Sequence, residues 1–392
     1  MRILLLGVGM QGKAALYDLF NNPDVSEIVA ADTDLRAVEA YIKEKGFEGK
    51  AAAAAVDGSS YEDLRTLLSE KFDGVICLLP PMLSGKVAEI AVEKGVFFVN
   101  TNYVEPEIKA LDAKAKEKGI AILPECGMDP GIDLVLLGEA IRSVDKVESV
   151  VSYGAGFPEE SAAENPIKYK VTWRFEGVLR SYKRAGRVIH NGALIDIAED
   201  EMFAKDNIHE LDVEGLGRLE AFPNGDVMKY IDLLGLDVAE LQNAGRYVLR
   251  WPGHCDFWYT MVKLGLLDEG TVTVDGMEID RWKYLATVLE NHIQYQENER
   301  DIVLVRIEVL GEKNGKKVRS VYQVIDKGDP ETGLSAMSRT VGFTAAIGAS
   351  ILGSDKLQQK GVLSPVKDVP YELFKNELSK RNIEITESIT GI

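Results

Sequence analysis

Two groups of residues in this chain have types and spacings that could do chemistry. The first is Gly7-Val8-Gly9-Met10-Gln11-Gly12, which follows the apolar stretch Ile3-Leu4-Leu5-Leu6 and opens a helical pattern. Glycines at a strand-to-helix turn suit a bound pyrophosphate. Gly7 permits the tight turn, Gly9 lets the backbone approach the phosphates, and Gly12 lets helix and strand close on each other. Met10 and Gln11 lie at the helix start, whose free N–H groups face the anion. Asp32 ends the next apolar run, "EIVAAD", twenty residues beyond Gly12. Its carboxylate would accept from ribose hydroxyls and repel a 2′-phosphate, and no arginine follows before Arg36. The expected cofactor is therefore NAD, with NADP possible.

The second group sits where later apolar runs end. Leu78, Leu79 and Pro80 lie in "CLLPP", Asn102 and Tyr103 in "NTNYVEP", and Glu125 and Asp129 in "PECGMDPGID". Open α/β sheets bind ligands at the carboxyl ends of their strands. Leu78, Leu79, Pro80 and Asn102 are thus further cofactor candidates, and Tyr103, Glu125 and Asp129 are candidates for the redox end. Asp129 could equally be the N-cap of a helix starting at Pro130.

The elements that must position these residues are readable from periodicity. Apolar runs at 2–6, 27–31, 73–79, 96–99 and 120–123 alternate with helical patterns near 10–21, 34–45, 60–69, 83–94 and 105–118. Such alternation predicts a doubly wound parallel sheet of Rossmann type. Beyond residue 130 the pattern changes to strand-like stretches at 147–155, 168–175 and 246–251. A hairpin then turns at Asn314-Gly315, with Val303, Val305, Ile307 and Val309 on one face. A helix is expected over 334–352. The fold class is α/β, a Rossmann domain (1–128) plus a second α+β domain with a mixed sheet (129–333) and a C-terminal segment (334–392).

Composition excludes several functions. A net charge of −18 argues against nucleic acid and anionic membrane as partners. No apolar run reaches the ~18 residues that a membrane span needs, and the N-terminal run lacks the form of a signal peptide. Cys77, Cys126 and Cys255 are far apart, which speaks against disulfide scaffolding and for a reducing cytoplasm. His190, His209, His254 and His292 are scattered, so no metal site is expected.

Three long stretches resemble the saccharopine dehydrogenase family: residues 101–133, "SYGAGFPEESAAENPIKYKVTW" (152–173) and "LRWPGH" (249–254). The resemblance runs along essentially the whole chain. It implies an NAD(P)-dependent oxidoreductase transferring hydride at the C–N bond of an amino-acid-derived, saccharopine-like secondary amine, through an imine. It also implies a homodimer, with 334–392 packing back on the nucleotide domain. Tyr103 and Asp129 match positions implicated in catalysis in the family's saccharopine reductases. A reductase cysteine is replaced by Gly154, and Glu176 stands near where the reductases carry arginine. Glu176 and His254 resemble lysine 6-dehydrogenase instead, so a primary-amine dehydrogenase releasing ammonia is one alternative. A non-catalytic dinucleotide sensor is another.

That chemistry assigns roles. An alkylammonium, of ordinary pKa about 10.4, must lose a proton before its carbon can release hydride. Water then attacks the iminium. Asp129 is the first candidate for stabilising that charge and relaying protons, and Glu125 the second. Tyr103 would hold a proton or position water. Substrate carboxylates need cations: Arg250 is the first candidate clamp, with Arg174, Arg246 and Lys170 beside it. Glu176, if it faces the pocket, would pair with a substrate ammonium, and His254 could exchange protons near neutrality.

Overall fold

A computed structural model describes residues 1–354 and 356–392. In the first part of the chain, strands and helices alternate: β1 (Arg2–Leu6), α1 (Met10–Asn21), β2 (Glu27–Asp32), α2 (Leu35–Lys45), β3 (Ala51–Ala55), α3 (Tyr61–Leu67), β4 (Gly74–Cys77), α4 (Pro81–Lys94), β5 (Phe97–Asn100), α5 (Pro106–Lys109), α6 (Asp112–Glu117), β6 (Ala121–Leu123) and α7 (Ile132–Arg142). Local chemistry sets the bounds. Asp34 caps α2 by accepting from the Ala37 N–H at 3.0 Å, and Gly46 ends it with φ 69°. Proline in the first turn starts α4, and Gly95 closes it with φ 72°.

The second part contains β7 (Lys146–Pro158), α8 (Phe175–Ser181), β8 (Gly186–His190), β9 (Ala193–Ile197), β10 (His209–Val213), β11 (Gly217–Pro223), α9 (Met228–Leu234), β12 (Asn243–Arg250), α10 (His254–Lys263), β13 (Thr271–Val274), β14 (Met277–Asp280), α11 (Arg281–Glu290), β15 (Asp301–Lys313) and β16 (Lys316–Lys327). The chain ends with α12 (Ala336–Leu352), β17 (Gly361–Val362), α13 (Pro365–Asp368), α14 (Tyr371–Ser379) and β18 (Ile385–Gly391).

One sheet has the order β17-β6-β5-β4-β1-β2-β3, with every neighbouring pair parallel. Its strand order reverses between β1 and β4, so a crevice opens there at the carboxyl ends of both strands. Leu4, Leu6, Val75 and Phe98 are fully buried on one side against Val87, Ile90 and Ile122. The other sheet has the order β10-β11-β12-β7-β15-β16-β18, with β8 and β9 branching from β12. It is mixed, because β12 and β7 run parallel while β7, β15, β16 and β18 alternate in direction. Asn314 and Gly315, at φ 51° and 74°, make the β15–β16 turn. Val303, Val305, Ile307 and Val309 are all fully buried.

Contacts divide the chain into two compact units, residues 1–138 with 338–384, and residues 139–337 with 385–392. Within the first unit α12 lies against α1, where a Cβ on Gly342 would be 2.4 Å from the Gln11 carbonyl oxygen. In the same unit Arg381 donates to both carboxylate oxygens of Asp18, at 2.6 and 2.8 Å. The C-terminal segment is divided rather than docked whole. Its last strand leaves the nucleotide unit and pairs with β16, Ile385 opposite Val324 and Glu387 opposite Tyr322. The 168–175 stretch is not a strand either. Lys168 turns at φ 51°, the Val171 N–H donates to Ile293 O, and α8 begins at Phe175. Its apolar side chains Ile167, Tyr169 and Phe175 serve a core with Trp258 and Phe222 instead of a ladder. No group of three or more His, Cys, Asp or Glu among the described residues could hold a metal. Among the described residues no helix is long and apolar enough to cross a membrane.

Candidate active site

The turn after β1 has the shape that its glycines predict. Gly7 sits at φ +88°, and a Cβ there would lie 2.9 Å from Leu78 O. At Gly12 a Cβ would meet Gly7 O at 2.0 Å, while at Gly9 nothing lies within 4 Å. Two of the three glycines are therefore required by protein packing, and the third looks onto open space. Helix α1 begins there with no side-chain cap bond at Gly9 and no acid in its first turn. Its N–H groups and dipole are left for an external anion, so the site fits a dinucleotide pyrophosphate. Met10 is half exposed and Gln11 is half-buried.

Asp32, at the end of β2, accepts from the Val8 N–H at 2.7 Å and the Asp34 N–H at 3.1 Å. Partial burial works against its charge, but these N–H groups and the Thr33 hydroxyl outweigh that and hold the carboxyl below its usual range. An ionised carboxylate thus closes the glycine turn. After β4, the Leu78 N–H donates to Leu6 O at 2.8 Å, with Leu78 and Leu79 half-buried and Pro80 exposed. Asn102 turns its amide to the Ser84 hydroxyl of α4 at 3.1 Å.

Tyr103, Glu125 and Asp129 come together at the carboxyl ends of β5 and β6. The Tyr103 hydroxyl donates to Asp129 Oδ1 at 2.8 Å, and the ring is 44% exposed, which leaves it open to a ligand. Asp129 does not cap a helix at Pro130. Helix α7 starts only at Ile132, and Asp133 accepts from the Gly131 N–H at 2.7 Å. Glu125 is buried at φ +59° and accepts from the Val104 N–H at 3.2 Å. Burial pushes its carboxyl above the usual range, with the Val104 N–H and Lys109 pulling the other way.

The substrate candidates of the second unit have different surroundings. Arg250 ends β12, is buried, and stacks its guanidinium 5.0 Å over the Tyr169 ring. Its Nη1 donates to Leu249 O at 2.8 Å and its Nε has no partner. A buried cation of this kind is costly without an anion, so Arg250 is suited to a carboxylate. Arg174 is largely exposed and pairs with Glu176 at 3.0 Å, and Arg180 pairs with the other Glu176 oxygen at 2.8 Å. Glu176 is thereby neutralised in a surface triad at the start of α8, which removes the feature that pointed to a substrate ammonium. His254 is fully buried, not on a pocket wall. Its Nδ1–H donates to Ile167 O at 2.7 Å, and its Nε2 accepts from the Tyr182 hydroxyl at 2.9 Å. Burial and then the Arg250 charge push the imidazole well below its ordinary range. It is a neutral core histidine among Tyr182, Phe222 and Trp258. Lys170 is buried against Glu299 and Gln294 O, and Arg246 stacks 4.2 Å over Tyr230.

Two residues that the sequence reading did not single out as site candidates also shape these sites. Asn100 ends β5 fully buried, accepts from the Glu125 N–H at 3.3 Å, and has an unpartnered Nδ2. A polar residue closing the run "FFVN" was the available signal. Tyr169 lies beneath Arg250 and had no local signal beyond its position in a motif.

Comparison with known proteins matches residues 3–123 to the saccharopine dehydrogenase NADP binding domain and residues 127–383 to the saccharopine dehydrogenase C-terminal domain. An alpha-aminoadipic semialdehyde synthase of Arabidopsis thaliana is 28% identical over 86% of this chain and 38% of its own length. A saccharopine dehydrogenase [NADP(+), L-glutamate-forming] of Saccharomyces cerevisiae is 24% identical over 97% of each chain. The chain spans less than half the length of the semialdehyde synthases that it matches. Apo saccharopine dehydrogenase (L-Glu forming) from the same yeast superposes with a TM-score of 0.86, at 23% identity over 99% of both chains.

Proposed function

The chain belongs to the saccharopine dehydrogenase family, and on that premise we propose that it oxidises the C–N bond of a saccharopine-like secondary amine. The observation that carries this is the Tyr103–Asp129 hydrogen bond, at the same end of the parallel sheet as the glycine turn. When bound, the nicotinamide coenzyme accepts the hydride from the carbon next to nitrogen. Asp129 takes the ammonium proton, faces the iminium charge, and returns a proton to the departing amine after water adds. The Tyr103 hydroxyl, donating to Asp129 Oδ1, keeps the carboxylate aimed. Arg250 clamps a substrate carboxylate. With Glu176 neutralised by two arginines, a diamino substrate has no support from this position.

The coenzyme is a nicotinamide adenine dinucleotide. The domain model and the yeast relative carry NADP in their names, while the ionised Asp32 at the end of β2 favours an unphosphorylated ribose. Asp32→Asn keeps an acceptor for Val8 and removes the charge. We expect it to raise kcat/KM for NADP relative to NAD by about tenfold or more, about 1.4 kcal/mol of relieved repulsion; an unchanged ratio would show that Asp32 does not face the 2′ position. We also infer a homodimer in the cytoplasm. The buried free thiols Cys77, Cys126 and Cys255 suit a reducing compartment, and sedimentation would test the dimer.

The decisive assay follows coenzyme reduction with saccharopine, lysine, ornithine and carboxylated polyamines. Turnover of lysine with ammonia release, and none of saccharopine, would overturn the proposal. Asp129→Asn should lower kcat about 10²- to 10⁴-fold while leaving coenzyme affinity within error. A rate near that of the parent protein would remove Asp129 from the chemistry.

A further inference from the structure

Glu125 occupies a position that packing alone does not explain. It is 6% exposed, makes no ion pair among the described residues, and adopts φ +59°, a backbone region that glycine enters far more readily. An acid without a cation in such a place is doubly unfavourable. Its contacts show what it does. The Glu125 N–H donates to Asn102 O at 3.0 Å and approaches Asn100 Oδ1 at 3.3 Å, while its Oε1 accepts from the Val104 N–H at 3.2 Å. The next residue adds a bond from the Cys126 N–H to Asn100 O at 2.8 Å. One residue therefore fastens the loop at 100, 102 and 104. Between the last two stands Tyr103, with its hydroxyl on Asp129.

We propose that Glu125 is the positioning residue of the Tyr103–Asp129 pair: its side chain holds the 102–104 loop so that the phenol reaches the Asp129 carboxylate. Glu125 exchanges no proton with substrate in this assignment; it acts through the loop. The left-handed backbone aims the carboxylate back at Val104, which an extended residue on the 124–126 path would not do. The proposal deepens the assignment of Tyr103 and Asp129 above, and its kinetic part rests on that assignment.

The test compares Glu125→Gln, Glu125→Gly and Tyr103→Phe in the full chain, by amide hydrogen exchange of peptides covering 100–105 and by steady-state kinetics. Glu125→Gln keeps an acceptor for Val104. Its exchange should stay within about twofold of the parent and its kcat within about threefold. Glu125→Gly relieves the backbone and removes the clamp. Its melting temperature should hold, its exchange over 102–105 should rise about tenfold or more, and its kcat should fall to the level of Tyr103→Phe with the coenzyme KM unchanged. Two results overturn the proposal: Glu125→Gln as impaired as Glu125→Gly, which makes the acid itself the proton carrier, or Glu125→Gly with parental exchange and kcat. If the parent protein turns over none of the substrates, the catalytic assignment fails, and the exchange measurement alone still decides whether Glu125 holds the loop.

Discussion

His254 shows how one residue can fit a chemical pattern and serve another end. A histidine following Gly253 in a family-like motif reads as a proton carrier. In the fold its two ring nitrogens are both engaged within the core, a fact fixed by Tyr182 and Ile167, far away in sequence. Its lowered pKa makes a pH prediction. Above about pH 6.5 the imidazole is neutral both folded and unfolded, so it contributes nothing to pH dependence. Below that, the unfolded chain binds a proton that the folded chain refuses, and stability is lost as pH falls, by about 1.4 kcal/mol per unit for one proton. His254→Gln removes this term, so the stability gap between parent and variant should narrow from pH 7 to pH 5.5 in denaturant melts. Parallel curves would contradict the assignment. Glu176 teaches the same lesson. Its type was visible in the sequence, but its partners were not: Arg174 caps α8 where the sequence reading expected a strand, and Arg180 lies one turn along that helix.

Elements were legible where period and punctuation agreed. α1 and the strands on either side of it follow from an unbroken apolar run, three glycines and an acid. β3 was not, because "AAAAA" has neither alternation nor β-branching. It forms because β2 offers it an edge, with Ile28 to Asp32 pairing Ala51 to Ala55. The helix over 105–118 divides into α5 and α6. The glycines of α1 and α12 separate ligand from packing. Gly9 faces open space, so Gly9→Ala should melt with the parent while its coenzyme Kd rises about tenfold or more, since the methyl group occupies the phosphate approach. Gly342→Ala puts a methyl group against the Gln11 carbonyl and the Ala15 nitrogen, at 2.4 and 2.7 Å. It should cost about 1–3 kcal/mol, read as a lower melting temperature. If Gly9→Ala destabilised and Gly342→Ala did not, the two roles would be reversed.

At the scale of the molecule, the nucleotide unit is closed by residues from distant parts of the chain. Asp18 on α1 and Arg381 beyond α14 form a bidentate pair, each with about a tenth of its side chain exposed, and Arg381 also donates to Glu377 at 3.0 Å. Arg381→Met leaves Asp18 and Glu377 buried without their shared cation, at a cost of about 3–5 kcal/mol. The double variant Asp18→Leu/Arg381→Met should recover part of that loss in urea melts. Equal loss in both would mean that Arg381 acts through packing alone. No reading of the sequence could have paired these residues, because neither position carries a motif.

The interrupted path of the nucleotide unit has a consequence for biosynthesis. Strands β1 to β6 leave the ribosome before the second unit, yet α12, β17 and α14 emerge only after that whole intervening unit has been made. Until then α1 lacks its neighbour, and the apolar groove awaiting α12 stays wet. A nascent chain stalled before residue 338 would therefore be a chaperone client, with β1 to β6 able to pair but unable to seal.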